Sequence, residues 1–168
     1  AKLVANLLGL DADVVALMEI QNNGFGDGTS AIDALVDALN AASAPGTYAY
    51  VAGPYPDGSA PDAATAGDDA IMVAFLYKPS AVSVVGKAVA DPSAYDAFSA
   101  TYGNRVPVAV TFQSNSDGEV FTAVANHFKS KGSVIDPDIG DGQGANNQAR
   151  LEAATDLHAL LQALLGLP

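Results

Sequence analysis

The sequence predicts a mixed fold in which helices pack against antiparallel sheets. Short apolar runs typical of strands outnumber the segments whose apolar residues recur at helical spacing. Several neighbouring strand segments look like hairpins, which favours an α/β or α+β layer fold over a doubly wound parallel sheet. Hydrophobic residues make up 49% of the 168 residues, enough for one domain with a sizeable core.

Three segments are predicted to be helical. Residues 2–10 carry apolar side chains at helical spacing, and Gly9 is a stop signal. In residues 30–42, Ser30 and Asp33 resemble a capping box ahead of an apolar stripe. Residues 146–165 form a long amphipathic segment. Its predicted apolar face consists of Leu151, Ala154, Leu157, Leu160, Leu161 and Leu164.

The remaining apolar runs are predicted strands, separated by loops that are rich in turn-forming residues. The sequence Ser-Asn-Ser-Asp-Gly joins the last two strands as a hairpin. Glycine- and aspartate-rich loops are expected at 22–28, 53–67 and 128–144, and residues 91–104 are irregular with one short helix. The predicted strands are 13–20, 47–52, 69–77, 82–89, 106–112 and 119–126.

The composition limits the classes of function. The net charge is −12 with only seven Lys and Arg, which argues against nucleic-acid binding through a broad basic surface. A nuclease remains open because a bound divalent cation supplies local positive charge. The absence of cysteine excludes disulfides and thiolate metal sites. No apolar run approaches the roughly 20 residues that span a bilayer, and no signal peptide is visible.

Glu19 is the first candidate for chemistry. It lies at the end of a hydrophobic strand and faces a loop of glycine and asparagine. A carboxylate in that place suits a hard cation such as Mg²⁺, which prefers oxygen ligands. The alternative is a solvated carboxylate that caps the loop or forms a salt bridge.

His127 is the second candidate, since it lies where the strand ends before Phe-Lys-Ser-Lys-Gly. Beside Asn126 and Lys129, it could meet a phosphate or act as a general acid or base. The alternative is a hydrogen-bonded structural histidine. The other histidine, His158, lies in the middle of a helix and is expected at the surface.

Asp69 and Arg105 form a third group of candidates. Asp69 begins a strand and could orient an imidazole through Nδ1–H. Arg105 precedes Val-Pro and could hold a phosphate. Either residue could equally be an ordinary surface charge.

Other motifs are weaker or missing. The glycine-rich stretches 24–28 and 140–144 lack the Gly-Lys-Ser/Thr of a phosphate-binding loop, and no Gly-x-Ser-x-Gly elbow exists. Residues 136–142 carry alternating carboxylates, as calcium loops do, so Ca²⁺ is possible, but the EF-hand spacing and its terminal glutamate are missing.

Taken in order, these segments resemble the secreted bacterial nucleases of the endonuclease/exonuclease/phosphatase superfamily. The ordered set covers nearly the whole chain and is more specific than any single piece. The matching segments are the helix–strand–Glu opening 2–24, the strand 69–79, the Arg-x-Pro strand 105–112, the Asn-His-Phe-Lys-Ser-Lys-Gly segment 124–132, and 140–144 followed by Asn147 and Arg150.

The resemblance implies a four-layer α/β/β/α sandwich like pancreatic deoxyribonuclease and hydrolysis of DNA or RNA outside the cell or in the periplasm. Glu19 would hold Mg²⁺ or Mn²⁺, and His127 would act beside the scissile phosphate. Asp69 would orient the histidine, while Arg105, Asn126 and Lys129 would contact phosphate or support the structure. Asp69 is slightly farther from the Lys-Pro end of its strand than in the deoxyribonuclease.

The chain also departs from the family pattern. The first strand with its catalytic Asn, the Gly-Asp-Phe/Leu-Asn segment and the closing Ser-Asp-His segment have no counterpart. Residues 1–168 are therefore expected to be the N-terminal to middle part of one domain, inactive alone and completed by missing segments or by another chain. The alternatives are a phosphatase or sphingomyelinase type of the same superfamily, and a non-catalytic binding module.

Overall fold

The computed structural model describes residues 2–26, 28–52, 69–89 and 104–166. The loop predicted at 53–67 lies outside the described residues, as does the segment predicted at 91–104 except for Asn104. No helix in the described ranges is both long and apolar enough to cross a bilayer. The elements are α1 (Lys2–Leu10), β1 (Val14–Gln21), α2 (Ala31–Ala42), β2 (Ala49–Tyr50), β3 (Ile71–Tyr77), β4 (Val82–Val89), β5 (Arg105–Ser114), β6 (Val120–His127) and α3 (Asn147–Leu165).

The strands of this part of the chain form two antiparallel sheets of three strands each. The first sheet has the order β1-β3-β2 and the second the order β4-β5-β6. The predicted hairpin is confirmed, since β5 pairs with β6 across a turn in which Gly118 donates to the Ser114 carbonyl. By contrast β3 and β4, adjacent in sequence, belong to different sheets, so the turn after Lys78 carries the chain from one sheet to the other.

Two hydrophobic clusters show how the helices and sheets pack against each other. The first lies between the sheets, where Phe75 of β3 meets Phe112 of β5 edge to face at 6.0 Å between ring centroids. The second packs α1 and α2 on the outer face of the first sheet, through Leu7, Ile32 and Leu39 among others. Helix α3 adds Ala153 and Leu157 to the inter-sheet cluster. The expected α/β/β/α sandwich is thereby confirmed.

The buried face of α3 differs from the predicted stripe. Ala149, Ala153 and Leu160 are buried, whereas Leu151 and Leu164 are exposed. The helix meets its neighbours mainly through alanine, which lets the backbone approach closely. The polar contacts at its first turn, described below, have no signal in an apolar periodicity.

Strand β2 is much shorter than the predicted 47–52. The Asn40 side chain accepts from the Tyr48 amide at 2.8 Å and donates to the Tyr48 carbonyl at 3.0 Å. Because Asn40 of α2 thus hydrogen-bonds both the backbone N–H and the carbonyl of Tyr48, only Ala49 and Tyr50 join the ladder with β3.

Candidate active site

Glu19 lies in a β-bulge inside β1. Leu17 pairs with Ala74 and Ile20 with Met72, so Met18 and Glu19 together lie opposite the single residue Val73. The strand continues to Gln21, so Glu19 does not end it as the sequence suggested. A bulge bends a strand and redirects a side chain.

The backbone of Glu19 is strained. Its φ is +62°, in the left-handed region that costs a residue with a Cβ about 1–2 kcal/mol. Such strain persists only where the surroundings enforce it, and it concentrates at functional sites. The carboxylate that results is largely exposed, with 70% of its side chain accessible.

The segment after Glu19 is fastened to the start of β3. The Asn22 backbone amide donates to the Ala70 carbonyl at 2.9 Å, and its side chain donates to the Asp69 carbonyl at 3.0 Å. Glu19 and Asp69, which are 50 positions apart in the sequence, therefore lie near the same end of the first sheet.

The structure brings His127 to Glu19. His127 ends β6 in the second sheet, and its Nε2 lies 3.5 Å from Oε1 of Glu19. The contact bridges the two sheets, because β1 and β6 belong to different ones. The imidazole is mostly buried, and its Nδ1 has no hydrogen-bond partner within the described residues.

Asp69 and Arg105 form an ion pair beside the histidine. Asp69 Oδ2 lies 3.1 Å from an Arg105 guanidinium nitrogen, and both side chains are partly shielded. Arg105 is also the ladder partner of His127. Asp69 thus contacts the arginine opposite the histidine, and its expected hydrogen bond to Nδ1 is not formed; its orienting role stays a prediction.

A second bulge shapes the β5–β6 end of the site. Arg105 pairs with His127 and Val108 with Ala125, so Val106 and Pro107 lie opposite Asn126 alone. Proline cannot donate to a ladder, and the bulge accommodates it inside a central strand. The Asn126 amide donates to the Val124 carbonyl at 3.2 Å, while its buried Oδ1 has no partner in the described part of the chain.

Lys129 lies in the interior. Its side chain is buried and donates through Nζ to the Gly132 carbonyl, and its backbone amide donates to Asn104 Oδ1 at 2.7 Å. Of its two predicted roles, these contacts support the structural one.

Two buried asparagines that the sequence did not single out hold the segment after His127. Asn104 Nδ2 donates to the Ala149 carbonyl at 3.2 Å. Asn146, fully buried with φ +62°, donates to the Ser130 and Gly132 carbonyls and accepts from the Ile135 and Asp136 amides. Among the many asparagines of the sequence, only tolerance of the left-handed conformation marks this one, and that signal is weak.

A buried carboxylate anchors the loop between Glu19 and α2. Asp33 accepts from the Tyr50 hydroxyl at 2.6 Å, from the Ser30 hydroxyl at 2.7 Å and from the Gly28 amide at 3.1 Å. The Tyr50 hydrogen bond in particular holds the pKa of Asp33 below its ordinary value, against the effect of burial. The predicted capping pair of Ser30 and Asp33 is confirmed, because Ser30 accepts from the Asp33 amide.

A divalent cation could use Glu19 as a ligand. Within the described residues no group of three histidine, aspartate or glutamate side chains could hold a metal ion. One exposed carboxylate does fit Mg²⁺, which commonly takes one or two carboxylates and fills its remaining positions with water and substrate phosphates. Residues 136–142 likewise form no such group of three side chains, and Ca²⁺ binding there stays a prediction.

A cleft of about 550 Å³ lies elsewhere. It opens among Val14, Val82, Asn115 and Phe121, at the starts of β1, β4 and β6. The candidate site occupies the opposite ends of β1 and β6, so this cleft does not belong to it.

Comparison with known proteins identifies the fold. No protein-family model and no curated protein sequence matches the chain. The human Nocturnin catalytic domain with bound sulfate superposes with a TM-score of 0.59 at 15% identity, covering 96% of this chain and 49% of that one. ANGEL2, a 2′,3′-cyclic phosphatase, gives a TM-score of 0.48 at 17% identity over 74% of this chain and 30% of that one. The chain spans about half the length of the Nocturnin domain and shares its deoxyribonuclease-like α/β fold.

Proposed function

We propose that the chain supplies the Glu19–His127 part of a metal-dependent phosphoesterase site, and that the complete protein is a nuclease. The observation that carries the proposal is the 3.5 Å approach of Glu19 Oε1 to His127 Nε2 across two sheets. A strained carboxylate, a mostly buried imidazole and a guanidinium then lie at one end of the sandwich. This combination suits hydrolysis of a phosphate ester.

Each side chain has a task in this proposal. His127 holds or delivers a proton at Nε2 beside the scissile phosphate. Arg105, held by Asp69, stabilises negative charge that develops on the phosphate oxygens. A Mg²⁺ or Mn²⁺ ion on Glu19 would supply Lewis acidity and orient the phosphate.

DNA or RNA is the proposed substrate class, and a small phosphomonoester is the second candidate. The nuclease proposal is supported by the Asn-His-Phe-Lys-Ser-Lys-Gly segment, whose backbone is hydrogen-bonded to the side chains of Asn104 and Asn146. The proposed location, outside the cell or in the periplasm, rests on the sequence resemblance alone.

The remaining part of the site is proposed to come from further segments of the same domain or from another chain. Strands β1 and β6 are the outer strands of their sheets within the described residues, and they contact each other. Met18 and Phe121 expose apolar side chains along this side of the molecule. Added strands would cover both edges.

The test uses the full-length product of the gene that encodes this sequence. Its cleavage of DNA, RNA and small phosphoesters is measured with Mg²⁺, with Mn²⁺ and with EDTA. We expect EDTA to abolish turnover and Glu19→Gln to remove most of it at unchanged thermal stability, because glutamine keeps the shape of the side chain and loses its charge.

The matched control is Glu152→Gln, which neutralises a carboxylate on α3 and should leave turnover intact. Wild-type turnover by Glu19→Gln at ordinary Mg²⁺ concentrations would contradict the proposal.

A further inference from the structure

Almost all of the basic side chains around His127 form an ion pair or hydrogen bonds with other groups of the protein. Arg105 pairs with Asp69, and Lys129 is buried on the Gly132 carbonyl. Arg150 donates to the carbonyls of Lys129, Ala145 and Gln143. In a chain of net charge −12, few cations remain to attract an anion to this end of the molecule.

Lys131 is the exception. It is exposed, and within the described part of the chain its ammonium forms neither an ion pair nor a hydrogen bond. It follows His127 by four residues, which limits the separation of their Cα atoms to about 14 Å even for an extended chain.

The Lys131 side chain packs against Gly144. It lies across Gly144, where an added Cβ would come within 3.2 Å of its Cδ and Nζ. Gly144 has φ +79°, so glycine is favoured there both by conformation and by space. On the other side, Asn146 fixes the carbonyls of Ser130 and Gly132, the two residues that flank Lys131.

We infer that Lys131 is a substrate-binding residue that contacts a second, non-scissile phosphate of a polyanionic substrate. The inference rests on the proposed function for the identity of the site. It narrows the substrate class to phosphate esters that carry a second phosphate next to the one that is cleaved. Because the flanking backbone is already hydrogen-bonded to Asn146, binding an anion at the Lys131 ammonium requires little further ordering of the loop backbone. A phosphodiester strand provides a phosphate on each side of the bond that is cleaved.

Binding to the 168-residue chain itself provides the test. Fluorescence anisotropy is measured with a labelled phosphorothioate oligodeoxythymidine in low salt and EDTA, which removes metal and hydrolysis. We expect Lys131→Ala to weaken binding severalfold and to lower the slope of log affinity against log salt by about 0.7, the value for one contact to a single strand. Lys131→Arg should bind as the wild type does.

Two further variants test whether binding depends on the position of the Lys131 ammonium or only on the net charge of the chain. Lys87→Ala removes an exposed lysine from β4 and should leave binding unchanged. Gly144→Ala keeps every charge but displaces the Lys131 side chain, so it should weaken binding in the same direction as Lys131→Ala. Circular dichroism checks that each variant is folded.

The outcomes are distinct from those of the hydrolysis assay. Equal affinity of wild type and Lys131→Ala, an equal effect of Lys87→Ala, or no saturable binding by the wild type would overturn the inference. Binding that depends on Lys131 in a full-length protein without hydrolytic activity would retain the inference and remove the proposed function.

Discussion

Glu19 is the residue at which local preference and observed conformation conflict most clearly. It interrupts an apolar run that favours a regular strand, yet its backbone adopts a left-handed conformation that glycine or asparagine would adopt at lower cost. The side chain that is kept despite this strain is the one that meets His127. Strain at this position is therefore an independent argument that the carboxylate has a role beyond folding.

His127 should matter for turnover more than for folding. In the full-length protein, His127→Ala is expected to lower kcat by about 10²-fold or more, the range typical of general acid–base catalysis. The measurement pairs kcat with the thermal unfolding midpoint, and His158→Ala, an exposed histidine on α3, is the matched control. A variant that loses stability but retains its specific activity would identify a structural histidine.

The sequence identified the residue types of the site but not their pairing. Each candidate is a polar or charged residue near the end of an apolar run, and this placement pointed to Glu19, His127, Asp69 and Arg105. That Asp69 contacts Arg105 instead of the imidazole depends on the strand register, which side-chain periodicity does not specify to one residue.

At the scale of elements, α2 is expected to be sensitive to acid through Asp33. The folded-state pKa of Asp33 lies below the ordinary 3.8, so its stabilisation is complete above that pH and is lost as the pH falls through the folded pKa. Asp33→Asn should lower the free energy of unfolding by about 1.5–3 kcal/mol at neutral pH, the range for hydrogen bonds to a charged group.

Urea unfolding at neutral pH and below pH 3.8 measures this effect. The difference between wild type and variant should shrink in acid, whereas Asp37→Asn, an exposed change on the same helix, should have little effect at either pH. A difference that stays constant with pH would show that Asp33 acts through shape alone.

The bulges were the elements least accessible to prediction. Pro107 did carry a signal: a proline inside a central strand is compatible with little other than a bulge. The bulge at Glu19 had no such marker, since methionine and glutamate occur readily in regular strands. Helix α3 was found by its apolar period, but its buried face combines Leu160 of the predicted stripe with Ala149 and Ala153, which the period did not mark.

For the whole molecule, we expect the 168-residue chain alone to show no phosphodiesterase turnover above background. One carboxylate holds Mg²⁺ weakly without further ligands. The described residues contain no group of three histidine, aspartate or glutamate side chains that could hold a metal ion. The assay incubates purified chain of verified mass with plasmid DNA and Mg²⁺ or Mn²⁺. EDTA-sensitive cleavage that disappears in Glu19→Gln would show that this chain needs no other part.

The 3.5 Å contact between Glu19 and His127 joins one sheet to the other, so the packing between the sheets also bears on the distance between these two side chains. Phe75 and Phe112 belong to this packing, and Phe112 lies toward the end of β5 away from the Arg105–His127 pair. A change of ring to aliphatic side chain at either position would alter that spacing by sliding or tilting one sheet. Under the proposed function, a shift of one sheet against the other would therefore change the rate of hydrolysis, so core residues would affect turnover without contacting substrate.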